Sequence, residues 1–183
     1  WQQIAERLDV DAFLTFAAME LMTCHWDGYC QQKNNYRLYF DATSQKAYFL
    51  PHGMDQMFGD PGASILERPG AIVASAVMQN PAWRAQFRDR IRQLVPLFNP
   101  PDKLLSQVVR MAQRIRPVLE EVDPQQASSY AERVSELKER LDARAENPGE
   151  AGRPPAAARD GSAAPRAGLD ANGASGRVGA GTV

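Results

Sequence analysis

Near the start of the chain, apolar residues recur at Val10, Phe13, Leu14, Ala17, Ala18, Leu21 and Met22. Positions three and four apart share one face of an α-helix, so this spacing predicts an amphipathic helix. Asp9 or Asp11 is placed to cap it, because a short carboxylate accepts from the unpaired amides of a first turn. The pattern fails after Thr23, and residues 25–34 read as a loop. A period of two follows, with Tyr36, Leu38 and Phe40 on one face and Arg37 and Tyr39 on the other. After a polar turn over residues 41–46, the run Ala47-Tyr48-Phe49-Leu50 brings the chain back, which makes a β-hairpin. Pro51 closes it, and Gly53, Gly59, Pro61 and Gly62 mark the loop that follows.

From about Pro69 to Ala145 the pattern is helical, and three helices are expected. Asn80 and Pro81 form a cap and first-turn pair for a helix over residues 81–98, carried by Phe87, Ile91 and Leu94. Asn99-Pro100-Pro101 breaks it. Asp102 opens the second, supported by Leu105, Val108, Val109, Ala112 and Ile115, with a kink expected at Pro117. Asp123-Pro124 opens the third, supported by Tyr130, Val134, Leu137 and Leu141, with Glu136 and Arg140 paired on a solvated face. A hairpin set beside helices gives an α+β domain over residues 1–146. From Pro148 onward the chain is almost all Ala, Gly, Pro, Arg, Ser and Asp, with Leu169, Val178 and Val183 as its larger apolar residues. Such a stretch buries too little apolar surface to offset its chain entropy, so residues 147–183 are expected to be a disordered tail. Gly176, Gly179 and Gly181 imitate a phosphate-loop spacing but lack a preceding strand and a following helix.

Composition narrows the function classes. The chain has 183 residues, 44% hydrophobic and 23% charged, which suits one globular domain with something added. Its 21 basic and 22 acidic residues leave a net charge of -1, so no basic excess points to nucleic acid as a partner. The longest apolar stretch, residues 10–24, is interrupted by Asp11, Thr15 and Glu20 and is too short and polar to span a membrane. Cys24 and Cys30 are the only cysteines, too few for a disulfide scaffold. Two free thiols flanking a loop is the simpler reading, with pairing left open for an exported protein. A zinc site from Cys24, His25, Cys30 and His52 is set aside, because adjacent Cys-His is poor chelating geometry.

The order of polar residues around the hairpin carries the candidate chemistry. Asp27 lies in the loop, Asn34 and Asn35 lead into the first strand, and Asp55 follows the second. Phosphoryl transfer needs a carboxylate to orient or deprotonate the acceptor, and oxygen ligands to hold magnesium against the phosphates. A hairpin returns the chain so that Asp55 can face Asp27. The same residues also suit plain turn chemistry, with Asp27 capping the turn before Gly28.

The surrounding motifs sharpen this. Trp26-Asp27-Gly28-Tyr29, then Asn34-Asn35-Tyr36-Arg37-Leu38-Tyr39, then Leu50-Pro51-His52-Gly53-Met54-Asp55-Gln56-Met57-Phe58-Gly59, resemble the CotH (spore-coat protein H) kinase family over residues 8–121. That family shows a Trp-Asp-x-Tyr loop, a His-Asn-Tyr-Tyr-Leu-Tyr-like strand and a Pro-Trp-Asp-Leu-Asp-x-x-Phe-Gly-like segment. The resemblance implies the C-lobe of an atypical protein kinase, using ATP with Mg²⁺ or Mn²⁺ to phosphorylate Ser or Thr hydroxyls of a protein substrate. It gives Asp27 the catalytic-loop role and makes Asn35 and Asp55 the metal- and nucleotide-binding residues. Gly53 departs from the pattern by standing where the family has the first of two aspartates, so Asp55 must substitute or activity is lost. Lys33, Lys46, Lys103 and Lys138 are the only lysines, and none sits in a strand-like context before the loop. The N-lobe is therefore expected to be missing, and this polypeptide alone is expected to be a poor catalyst. A pseudokinase, or a structural surface or coat module, is the alternative, and the resemblance leans toward an extracytoplasmic or cell-surface location.

Overall fold

The computed structural model describes residues 1–65 and 69–147, and the expected tail from residue 148 onward, with its glycine spacing, lies outside them. The first long helix, α2 (Val10–Met22), follows a short α1 (Gln2–Arg7). Asp9 caps α2, its carboxylate accepting from the Ala12 amide at 2.9 Å. Phe13, Leu14, Phe16, Ala17, Ala18, Leu21 and Met22 are all buried, so α2 is wrapped nearly all round and forms the axis of the core.

The expected loop contains one more turn of helix, α3 (Tyr29–Gln32). The hairpin is as its alternation suggests: β1 (Tyr36–Asp41) pairs antiparallel with β2 (Lys46–Pro51), in a register running from Tyr36 opposite Pro51 to Asp41 opposite Lys46. Asp41 shapes the turn, its carboxylate accepting from the amides of Thr43 at 3.1 Å and Ser44 at 3.0 Å. Those hydrogen bonds hold the Asp41 carboxyl below the usual carboxylate range. β2 lies on the core, joined there by Tyr36 of β1, whose ring centroid is 4.6 Å from that of Tyr29. Phe49 packs on Phe13 and Tyr29 with ring centroids 5.0 and 4.6 Å apart, whereas Leu38, Tyr39 and Phe40 of β1 stay exposed.

A 3₁₀ turn (Met54–Gln56) follows the hairpin. The helical region then holds four helices rather than three. The additional one is α4 (Ile72–Gln79), whose Ala74 and Val77 reach the core. Asn80 caps α5 (Pro81–Leu94) as its Asn-Pro pair suggests, accepting from the amides of Ala82 and Trp83. α5 ends at Leu94, and a 3₁₀ turn (Val95–Leu97) completes the stretch. Phe87 and Ile91 bury α5 against α2. Next, α6 (Asp102–Val122) runs on through Pro117 and pairs with α7 (Pro124–Glu146). Pro117 is exposed, so the Gln113 carbonyl it leaves unpaired is free to meet water. Leu141, Arg144 and Ala145 bring the end of α7 into the core. The fold is thus helix-rich α+β with one two-stranded antiparallel sheet, and among the described residues no helix is long and apolar enough to cross a membrane.

Candidate functional site

The site grows from the C-terminal end of α2, where Thr23 stops the helix and residues 24–28 turn tightly. Two buried charges from outside the loop fix that turn. The first is Glu20, on α2 itself, which is 3% exposed. Its carboxylate accepts from the Tyr29 and Cys30 amides, each at 2.9 Å, which are free donors at the start of α3. A carboxylate there is favoured by hydrogen bonding and by the partial positive charge of first-turn amides. Gly28 permits the approach, because a Cβ at that position would lie 2.7 Å from Glu20 Oε1 and 2.9 Å from His25 Nδ1.

The second is Arg144, from the far end of α7. Its guanidinium donates to the carbonyls of Leu21 at 2.7 Å and Met22 at 3.0 Å at the end of α2, where Leu21 also accepts from the Cys24 amide at 3.2 Å. The same group donates to Pro61 and Ala63 carbonyls at 3.0 and 2.8 Å, tying the post-hairpin loop to the helix end. Burial pulls the Arg144 pKa down, opposed by nearby Cys24 and Asp60. Both thiols lie in this same packed layer, free and buried. Burial pushes the Cys24 thiol up, against the pull of Arg144. Burial also pushes Cys30 far up, with the Glu20 carboxylate adding to it. Tyr29 is raised by burial too, although its hydroxyl accepts from the Val73 amide at 3.2 Å.

On this base the structure brings Asp27 and both asparagines together. Asn35 Nδ2 donates to Asp27 Oδ2 at 2.7 Å and to the Asp27 carbonyl at 3.1 Å. Asn34 Nδ2 lies 3.2 Å from Asp27 Oδ1. Lys33 and Asn35 both take left-handed backbone, with φ of 61° and 49°, and this reverses the chain between α3 and β1. The segment after the hairpin is stitched to the same point. His52 donates its amide to the Asn35 carbonyl at 3.0 Å, and the His25 ring nitrogen Nε2 is 3.2 Å from the Gly53 carbonyl. Arg37 Nη2 contacts His52 Nε2 at 3.3 Å.

Gly53, where the motif departs from the family pattern, is strictly fitted. Its φ is +58°, and a Cβ there would lie 2.5 Å from Asn35 Oδ1. Asp55 follows on the exposed 3₁₀ turn and makes no hydrogen bond or ion pair among the described residues. Among those residues no three His, Cys, Asp or Glu side chains are grouped to hold a metal ion. The oxygens that remain on offer are the Asp27 carboxylate, Asn35 Oδ1 and the Asp55 carboxylate. These are hard donors of the kind Mg²⁺ and Mn²⁺ take, and Mg²⁺ bound with phosphates takes only one or two protein carboxylates.

Two functional supports escaped the sequence reading. Glu20 registers there only as an interruption of an apolar stretch, although a lone carboxylate between Met19 and Leu21 is the signal of a buried partner. Arg144 continues the Leu137–Leu141 spacing of α7, so a charge on that apolar face is the corresponding signal.

The family model described as "CotH kinase protein" matches residues 1–147. Among curated proteins of the fungus Rhizopus delemar, the chain is similar to Invasin CotH7 and to Spore coat protein homolog 1. Each is 31% identical over 110 residues, covering 52% of this chain and 18% of the relative. Invasin CotH3 of the same organism is 28% identical over 127 residues, covering 61% of this chain and 21% of that protein. The chain thus spans about a fifth of the length of the curated relatives it matches. With a family model matched across the whole helix, loop, hairpin and helical region, this chain belongs to the CotH kinase protein family.

Proposed function

We infer that this chain forms the phosphate-transfer end of a CotH-type kinase, moving the γ-phosphate of ATP to Ser or Thr hydroxyls of a protein substrate. The observation that carries the reading is the 2.7 Å bond from Asn35 Nδ2 to Asp27 Oδ2. It joins two residues eight apart that the family pattern assigns to the catalytic loop. The bond fixes the Asp27 carboxylate in one orientation, and a fixed carboxylate can accept the proton of an incoming hydroxyl without reorganising.

Asp27 then orients the acceptor. Asn35 holds Asp27 through its amide nitrogen and turns Oδ1 toward Gly53, where that oxygen is available as a ligand. Asn35 and Asp55 are the proposed holders of Mg²⁺ or Mn²⁺, which when bound would neutralise charge on the phosphates. Glu20 and Arg144 keep the loop rigid from beneath. A lysine and a phosphate cover belong to a part of the parent protein outside residues 1–147, so the activity is a property of the longer chain. Family members named as invasins and as a spore coat protein homolog support a surface or coat location.

One observation favours a second reading, that of a surface interaction module without catalysis. Gly53 replaces an expected aspartate, and its space is occupied by Asn35. Calorimetry of ATP and Mn²⁺ binding to the full-length parent separates the two, with Asp27→Ala and Asp55→Ala as controls. The kinase reading expects binding that each change weakens at least about tenfold, or roughly 1.4 kcal/mol. No binding, or binding indifferent to both changes, favours the interaction module.

A further inference from the structure

We propose that the exposed face of α6 pairs antiparallel with α6 of a second copy of this chain. Met111, Ile115, Val118 and Val122 are 48%, 43%, 60% and 76% exposed, although all four are apolar. Their spacing alternates four, three and four residues, which keeps them on one stripe of a helix and is the spacing of a coiled-coil seam. The neighbouring stripe, Leu105, Ala112 and Leu119, is half-buried, as expected of the side that packs on α7. Further back on the same stripe Leu104 and Val108 pack against the chain's own core, so the open seam runs from Met111 to Val122. On its other flank stand Gln107, Arg114 and Glu121.

Charge complementarity identifies the occupant. In an antiparallel pair, seam positions of one kind meet seam positions of the other. Met111 then stands opposite the partner's Val122, and Ile115 opposite the partner's Val118. A single two-fold axis beside Arg116 and Pro117 generates both layers and their symmetry mates. That same axis brings Arg114 to the partner's Glu121 and Glu121 to the partner's Arg114. The stripe is thus complementary to itself in shape and charge, the requirement for a closed two-fold contact. Neither Arg114 nor Glu121 has an ion-pair or hydrogen-bond partner among the described residues, whereas Arg116 and Glu120, which point away from the seam, already pair at 2.7 Å. Pro117 also lies off the seam, so its missing amide does not disturb the contact.

The size of the surface sets the strength. The stretch of α6 that faces its partner runs from Met111 to Val122 and is about 18 Å long at 1.5 Å per residue. A strip about 10 Å wide along it buries roughly 180 Å² per partner, well below the area of stable complexes. The dimer is therefore weak, with a dissociation constant on the order of 1 mM.

The test is sedimentation equilibrium of the full chain from about 10 μM to 1 mM at about 0.05 M and 0.5 M salt, with circular dichroism confirming folded helices in every variant. Self-association is expected, weaker at high salt. Arg114→Glu and Glu121→Arg should each weaken it about tenfold, because each change turns two attractive pairs into like-charge pairs. The double exchange Arg114→Glu with Glu121→Arg should restore it. A chain that stays monomeric to 1 mM overturns the proposal, as does an oligomer indifferent to the exchanges. Binding of the monomer to anionic phosphatidylserine vesicles, abolished by Ile115→Glu, would also overturn it by assigning the stripe to a membrane surface.

Discussion

Glu20→Ala is the sharpest probe of how the loop is held. The change removes a carboxylate that is 3% exposed and accepts two backbone hydrogen bonds at 2.9 Å. The Tyr29 and Cys30 side chains beside those amides are also buried, which restricts water on that side. A hydrogen bond to a charged group contributes about 1.5–3 kcal/mol, and an orphaned buried amide costs about 1–3 kcal/mol. Releasing the desolvated carboxylate offsets part of this, so a net loss of about 3–5 kcal/mol is expected. Glu20→Gln keeps the shape and one acceptor oxygen but sets an amide donor against the other N–H, and should lose about 1.5–3 kcal/mol. The assay is urea unfolding followed by tryptophan fluorescence, paired with hydrogen exchange at Tyr29 and Cys30. Exchange at those two amides should speed up more in the Ala variant than exchange in α5. If Glu20→Ala costs less than about 1 kcal/mol, or leaves both amides protected, Glu20 is not the anchor of the loop.

Restoring the family's aspartate with Gly53→Asp should destabilise the chain by about 1–3 kcal/mol in thermal unfolding, because φ is +58° and Asn35 Oδ1 is 2.5 Å from the new Cβ. A variant as stable as the parent sequence would show that the segment adapts freely. Arg144→Met should cost about 2–4 kcal/mol in urea unfolding, since it strands the buried Met22 carbonyl and the half-buried Pro61 and Ala63 carbonyls and leaves Leu21 only the Cys24 amide. A loss within about 1 kcal/mol would mean that water replaces the guanidinium there. Cys24 and Cys30 are raised above their ordinary value of 9.0, so the folded state keeps protons that the unfolded state releases. Their contribution is therefore fully present below pH 9 and lost as pH rises above it, and the urea midpoint should fall through that window. Ellman's reagent at about pH 8 should react slowly with the folded chain and rapidly with both thiols once it is unfolded, whereas equal rates would contradict their burial.

Much of the architecture was legible because it is local. The 3.6-residue period of α2, the Asn-Pro start of α5 and the alternation of the hairpin are each written within a few neighbouring residues. α4 was missed because Ile72–Gln79 has apolar residues on several sides, so no single face stands out, and Ala71 at its start offers no side-chain cap. Pro117, where a kink is expected, stands inside a continuous α6, because an exposed helix can leave one carbonyl to water at limited cost. The hairpin pattern gave the strands but not their burial. β1 alternates in sequence, yet its residues from Tyr36 to Phe40 are all exposed, because the hairpin meets α2 mainly through β2.

The site divides along the same line. Asp27 and Asn35 are eight residues apart, so a loop reading could place them together, and the structure joins them through two hydrogen bonds. What makes the loop hold its shape is not local. Arg144 lies more than 120 positions from the Leu21 and Met22 carbonyls it satisfies. A residue at that separation leaves no periodic trace near the loop. It shows only as a charge where its own helix calls for an apolar side chain. Glu20 gives the same sign on α2. In both cases the charge is stranded on the inner face because the partner is backbone, the free N–H groups opening α3 and the carbonyls closing α2. Short helix ends packed against each other in a core must be satisfied by something, and one carboxylate and one guanidinium do so with six hydrogen bonds between them to the loop and its neighbours. The polar loop that carries Asp27 is therefore rigid because of two charges that touch none of the proposed chemistry.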